Sequence, residues 1–179
     1  MEFTGNSGLQ PTNLSWNWNI EGNQFYIQDP ENIFANYGVF PITLEIENLD
    51  NNCFSSIQQF IEVYNLPTPN FNVTEVCLGE KTSFTDLSSA NVVSWNWIFG
   101  DGIGSSTLTN PVYTYNFDGN YMTELEIISD KGCYNTLTTE VTINEIPEVE
   151  ITISEVCEGE RNLFNSVSEI TNGYISNWE

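Results

Sequence analysis

The chain has 179 residues, with 25 acidic side chains, three basic ones (Lys81, Lys131 and Arg161), no histidine and a formal net charge of −22. That balance excludes nucleic acid and anionic membrane surfaces as partners, because both require Lys and Arg to neutralise phosphate. It also removes the usual general base near neutral pH and the commonest zinc ligand. Apolar content of 40% suffices for folded cores. No run of 18 apolar residues offers a membrane-spanning helix. The acidity reads first as a solubility device, with calcium binding as its alternative role. The N-terminus lacks the basic and apolar regions of a signal peptide, which for a domain of a type found outside cells would imply a piece of something longer.

In chain order, the first strand signal is Trp16-Asn17-Trp18, followed by clear alternation at Phe40, Ile42, Leu44 and Ile46 after Tyr37-Gly38. Leu66-Pro67-Thr68-Pro69 then forms a short, proline-stiffened joint. Phe71 and Val73 alternate in the next strand, and Ser83, Phe84 and Thr85 mark another. Trp95, Trp97 and Phe99 place three aromatics on one face of a strand, which Gly100-Asp101-Gly102 ends in a tight turn. A polar loop closes at Asn110-Pro111, and alternation resumes at Tyr113, Tyr115 and Phe117. After a break at Asp118-Gly119, Tyr121 opens a strand with Leu125 and Ile127 on one face. Asp130-Lys131-Gly132 predicts a turn before a last strand near Leu137 to Ile143. A second joint, Ile146-Pro147, follows.

Self-comparison reveals a period near 80. Cys53 and Cys133, Cys77 and Cys157, and Pro67 and Pro147 are each 80 apart, and Val76 to Glu80 (VCLGE) returns as Val156 to Glu160 (VCEGE). Trp16-Asn17-Trp18 recurs as Trp95-Asn96-Trp97, Asp29-Pro30 as Asn110-Pro111, and Gly38 as Gly119. The reading is three antiparallel β-sandwich units. Residues 1–66 are an N-terminally truncated domain, because Phe3 to Ser7 align with Phe84 to Ser88. Residues 67–144 are complete, and residues 145–179 begin a third domain, with Trp178 as its central tryptophan. A half-domain exposes its core face and an unpaired edge, so residues 145–179 are expected to be poorly ordered or irregularly paired. The stiff joints favour an extended, semi-rigid string.

The stretch from Trp97 onward resembles the PKD domain, an immunoglobulin-like module of large secreted and surface proteins such as those of gliding bacteria. Trp97, Phe99, Gly100, Asp101, Gly102, Asn110, Pro111, Tyr115, Gly119, Tyr121 and Leu125 match the family's W-x-F-G-D-G, N-P and Y-x-x-x-G-x-Y-x-V-x-L pattern. Met122 and Thr123 depart from it mildly, and the first unit lacks the turn motif, reading Asn19-Ile20-Glu21-Gly22 instead. The resemblance implies an all-β fold of tandem Ig-like sandwiches, an extracellular or cell-surface location, and a non-catalytic spacer, adhesion or protein-interaction role. The alternatives are a carbohydrate-recognition accessory to a secreted hydrolase and a calcium-stiffened adhesin segment. Implied partners are neighbouring repeats and an extracellular protein or glycan, with no cofactor.

The resemblance also implies a Cys77–Cys133 disulfide, with both cysteines at one end of the sandwich. Closing that loop would stabilise the fold by roughly 4 kcal/mol on the chain-entropy model. A Cys53–Cys77 bridge and four free thiols remain the rival readings. Cys53 and Cys157 would find partners outside the chain.

Asp101 reads as a turn residue whose carboxylate accepts backbone hydrogen bonds, with calcium ligation by Asp101 and Asp118 as the alternative. The tryptophans at 16, 18, 95 and 97 read as core, or else as a sugar-stacking platform. Tyr121 is a tyrosine-corner candidate. No histidine, no G-x-S-x-G and no assignable carboxylate pair leave an enzyme without a proposed catalytic apparatus. The Asn13-Leu14-Ser15 and Asn72-Val73-Thr74 sequons read as coincidence in so asparagine-rich a chain.

Overall fold

The structure, a computed structural model, describes residues 13–89 and 91–169. Phe3 to Ser7 and Trp178 lie outside the described residues. All regular elements among the described residues are β-strands. The chain divides into two compact units, Met1–Asn65 and Leu66–Glu179.

In the first unit, β1 (Leu14–Ile20), β2 (Asn23–Phe25), β3 (Gly38–Asn48) and β4 (Cys53–Val63) form one antiparallel sheet in the order β2-β1-β3-β4. Alternation sends Trp16, Trp18, Ile20, Ile42 and Leu44 into a core, against which Phe25, Phe34, Ile46 and Ile61 pack. Between β1 and β2 the motif-less Glu21-Gly22 makes a two-residue turn with both φ angles positive, at 53° and 84°. β4 is different from its neighbours. Every residue on it is exposed except Ile61 and Val63, which are half-buried.

In the second unit two sheets face each other. One runs β6 (Val76–Cys77), β12 (Tyr134–Asn144), β11 (Gly119–Ser129), β8 (Val92–Ile98), β9 (Ser105–Ser106). The other runs β10 (Val112–Tyr113), β7 (Thr82–Asp86), β5 (Phe71–Val73). Between them lie Phe71, Phe84, Trp97, Phe99, Tyr115, Leu125, Ile127, Val141 and Ile143. Trp97 is the centrepiece, with Phe71 edge-on at 5.1 Å and Phe84 tilted at 5.5 Å. Such pairs add directional energy to the area they bury. Phe117 breaks the predicted Tyr113-Tyr115-Phe117 alternation. Pairing in β10 stops at Tyr113, and Phe117 ends 74% exposed in the loop that leads to β11.

β13 (Glu148–Thr152) and β14 (Asn165–Glu169) form an antiparallel hairpin with five paired positions. This corrects the expectation of irregular pairing across residues 148–169. Ile151 faces Ser166 and Thr152 faces Asn165, the register that Phe71 with Asp86 and Asn72 with Thr85 show one period earlier. The connecting turns also agree. Glu80 and Glu160 each donate their amide to the carbonyl of the cysteine three residues back and accept that cysteine's amide on a carboxylate oxygen.

Candidate functional site

The motif residues gather around the turn after β8. Gly100 is required twice over. Its φ is +84°, and a Cβ there would stand 2.5 Å from the Met122 carbonyl oxygen. Gly104, not singled out from sequence, is constrained by side-chain packing alone, since a Cβ would stand 2.4 Å from the Tyr113 ring. Between them, Asp101 Oδ1 accepts the amides of Ile103 (3.1 Å) and Gly104 (2.7 Å), and Oδ2 accepts the Tyr113 hydroxyl. Asp101 follows β8 in one sheet and Tyr113 lies on β10 in the other, so this bond ties the sheets together. Burial pushes the Asp101 carboxyl up, but the Tyr113 hydroxyl and the two amides outweigh it and hold it below its ordinary value. The same hydrogen bond, with burial behind it, pushes Tyr113 up to about 12.

The other tyrosines are similarly engaged. Tyr115 donates to the Phe99 carbonyl at 3.0 Å and lies 3.2 Å from the Thr123 hydroxyl, which donates to the same carbonyl. Tyr121 donates to the Phe117 carbonyl at 2.7 Å, four residues upstream, and stacks on Tyr115 at 4.2 Å. The Trp97 indole donates to Leu108, as Trp18 donates to Gln28 in the first unit. Trp95 is half-buried and donates to Asp86 Oδ2 at 2.9 Å. The predicted tryptophans therefore turn inward or are hydrogen-bonded rather than standing in an exposed row. No group of three or more acidic, cysteine or histidine side chains arranged to hold a metal occurs among the described residues.

The Cys77–Cys133 pairing is wrong. All four cysteines are free. Cys77 pairs with Asn144 at the end of β12, whereas Cys133 immediately precedes its first residue, Tyr134. Eleven residues of extended chain separate the two ends, roughly 35 Å, against the 7 Å that limits a disulfide's Cα separation. Sequence placed both cysteines beside turns, but only the parallel pairing of β6 with β12 reveals that these turns occupy opposite poles.

One groove was missed. On the outer face of the first unit, Ser15, Glu47 and Phe54 form one cross-strand row, and Asn17 and Glu45 the next, with Tyr26 at the rim. Tyr26 and Phe54 are both exposed. The signal available in sequence was the Glu45-x-Glu47 alternation opposite the tryptophans.

The family model of the PKD domain matches residues 65–143. None of the curated proteins matches the chain. Among solved structures, the PKD1 domain of Vibrio anguillarum Epp is 29% identical, with 44% of this chain and 94% of that one covered and a TM-score of 0.41. The PKD1 domain of the Vibrio cholerae metalloprotease PrtV is 28% identical, with 44% and 98% covered and a TM-score of 0.41.

Proposed function

Taking as premise that residues 65–143 are a PKD domain, a module type that serves larger proteins as a non-catalytic accessory, we propose that this chain is an extracellular spacer and interaction segment. One observation carries the spacer reading: the polypeptide joins and leaves the two-sheet sandwich of residues 67–144 at opposite poles. Near the start, the Pro67 carbonyl accepts the Asn135 side-chain amide at 3.0 Å. Near the end, Asn144 pairs with Cys77. Asn135 and Asn144 lie at the two ends of β12, about 30 Å apart at a strand's rise per residue. A unit crossed from pole to pole adds its whole length to the string, whereas one with adjacent termini would add almost none. The motif residues Asp101, Tyr115 and Trp97, with Tyr113 beside them, fit this reading too, because they direct their polar atoms at the protein's own backbone and side chains.

The test uses the native thiols at the two poles. With Cys53→Ser and Cys157→Ser in place, spin labels on Cys77 and Cys133 should give a narrow distance distribution centred at roughly 35 Å, as strand geometry requires. A distance below about 15 Å, or failure to label because the two are oxidised together, would remove the pole-to-pole geometry and the spacer reading with it.

A further inference from the structure

The groove on the outer face of the first unit has a volume of about 630 Å³, within the range that ligand sites occupy. Its floor runs along β3, where Glu45 and Glu47 stand on one face roughly 7 Å apart. From β1, Asn17 flanks Glu45 and Ser15 flanks Glu47, and from β4 Phe54 flanks Glu47. Tyr26 closes the rim, and it and Phe54 are each 72% exposed. Three groups of this lining are acceptors without a partner. The half-buried carboxylates of Glu45 and Glu47 take part in no hydrogen bond or ion pair among the described residues. Asn17 Oδ1 is buried with no partner either, so the floor calls for donors. Two like charges this close repel, and residues 1–65 contain no Lys or Arg to neutralise them. The fold does not require the pair. In the second unit the counterpart of Glu47 is Ile128, set between Ser94 and Tyr134 as Glu47 is set between Ser15 and Phe54.

We propose that this groove binds an arginine side chain of a basic protein partner, its guanidinium bridging the Glu45 and Glu47 carboxylates and its face lying against the Phe54 ring. Arginine meets all the demands of the lining together. It is planar, always charged and donates without accepting, it pairs with carboxylates through parallel hydrogen bonds, and it stacks on aromatic faces. Lysine brings the charge without the plane. A sugar hydroxyl accepts as well as donates, and gains less from a floor of acceptors. Two carboxylates fall short of a metal's ligand set, and no group of three or more such side chains occurs among the described residues. The net charge of −22 attracts a basic partner from a distance, and the groove selects where it binds. This gives the partner chemistry of the interaction role proposed above and rests on that role, not on the spacer geometry.

Isothermal titration calorimetry of the full chain with hexaarginine provides the test, in sodium chloride of about 150 mM so that charges more than about 8 Å away are screened. Glu45→Gln combined with Glu47→Ile should weaken binding about tenfold, and the fold accommodates the isoleucine because Ile128 fills the same place in the second unit. Glu124→Gln combined with Glu126→Gln removes the same two charges from the second unit and should change binding by less than about twofold. Phe54→Ala alters no charge and should weaken binding about two- to fivefold. Phe60, 67% exposed on the same face of β4 and about 20 Å along it, is the matched control, and Phe60→Ala should have no effect. Hexalysine should bind more weakly than hexaarginine. No binding of hexaarginine, equal losses from the two charge-removing pairs, indifference to Phe54→Ala, or hexalysine binding as tightly would each overturn the proposal. Chitohexaose binding in place of hexaarginine would overturn it too, while keeping an interaction role of different chemistry. The spacer reading stands or falls separately, on the distance between Cys77 and Cys133.

Discussion

At the scale of single residues, Asp101 decides how the second unit holds its two sheets in register. Its carboxylate satisfies two amides of its own turn and the Tyr113 hydroxyl across the sandwich. Asp101→Ala strands all three donors, and because the site is only partly buried the expected loss is about 2 kcal/mol, measurable by urea unfolding of the Leu66–Glu179 unit. The pair also predicts a pH window. Tyr113 is pushed from 10.0 up to about 12, so folding favours its protonated form. Its contribution is complete below pH 10.0 and lost as pH rises towards about 12. Asp101 is held below 3.8, so its contribution is present above that value and lost in more acid solution. This pair's contribution to the thermal midpoint should be flat between these limits, and Tyr113→Phe should remove the part of the alkaline fall that this tyrosine causes. An unchanged alkaline limb in that variant would show that Tyr113 does not govern it. From sequence, Gly100-Asp101-Gly102 is legible as a turn because glycine spacing is local. Tyr113 as its partner is not legible, because that contact exists only once β8 and β10 lie in facing sheets.

At the scale of elements, the two turns that follow the tryptophan strands show two solutions to one problem. The second unit uses the glycine-aspartate turn. The first closes β1 onto β2 with Glu21-Gly22, and holds glutamate at φ 53°, a conformation that asparagine tolerates far better. Glu21→Asn should therefore stabilise the first unit by about 0.5–1 kcal/mol, read as a rise in the midpoint of its unfolding transition. A destabilised variant would mean that the long contact from Asn32 to the Glu21 carboxylate, at 3.4 Å, matters more than the backbone. Elements also mark where sequence reading fails. Alternation locates β3, β11 and β12 because period two is a property of each strand alone. The parallel pairing of β6 with β12, which carries Cys77 to the pole opposite Cys133, depends on a two-residue strand with no periodicity to read. Local patterning survives even without a core to bury, as the β13–β14 register demonstrates.

For the whole molecule, charge is the dominant unbalanced quantity. Twenty-five acids face three cations, and the one ion pair identified among the described residues, Lys131 with Asp130 at 3.8 Å, is half exposed and contributes little. Most proteins gain or lose little from screening because attractions and repulsions cancel. Here repulsion is nearly all there is, and folding concentrates it. Sodium chloride raised from about 10 to 500 mM shortens the Debye length from about 30 Å to a few ångströms. Relief of even ~1 kcal/mol should lift the midpoint of the sandwich of residues 67–144 by roughly 4–8 °C. Calcium discriminates between general screening and a specific site. Asp101 already directs both carboxylate oxygens at donors, and no group of three or more acidic, cysteine or histidine side chains that could hold a metal occurs among the described residues. At matched ionic strength, calcium and magnesium should therefore raise the midpoint equally. A larger rise with calcium, abolished by Asp118→Asn, would establish calcium ligation by Asp101 and Asp118. A midpoint that falls with salt would show that attractive pairs, rather than net charge, control stability.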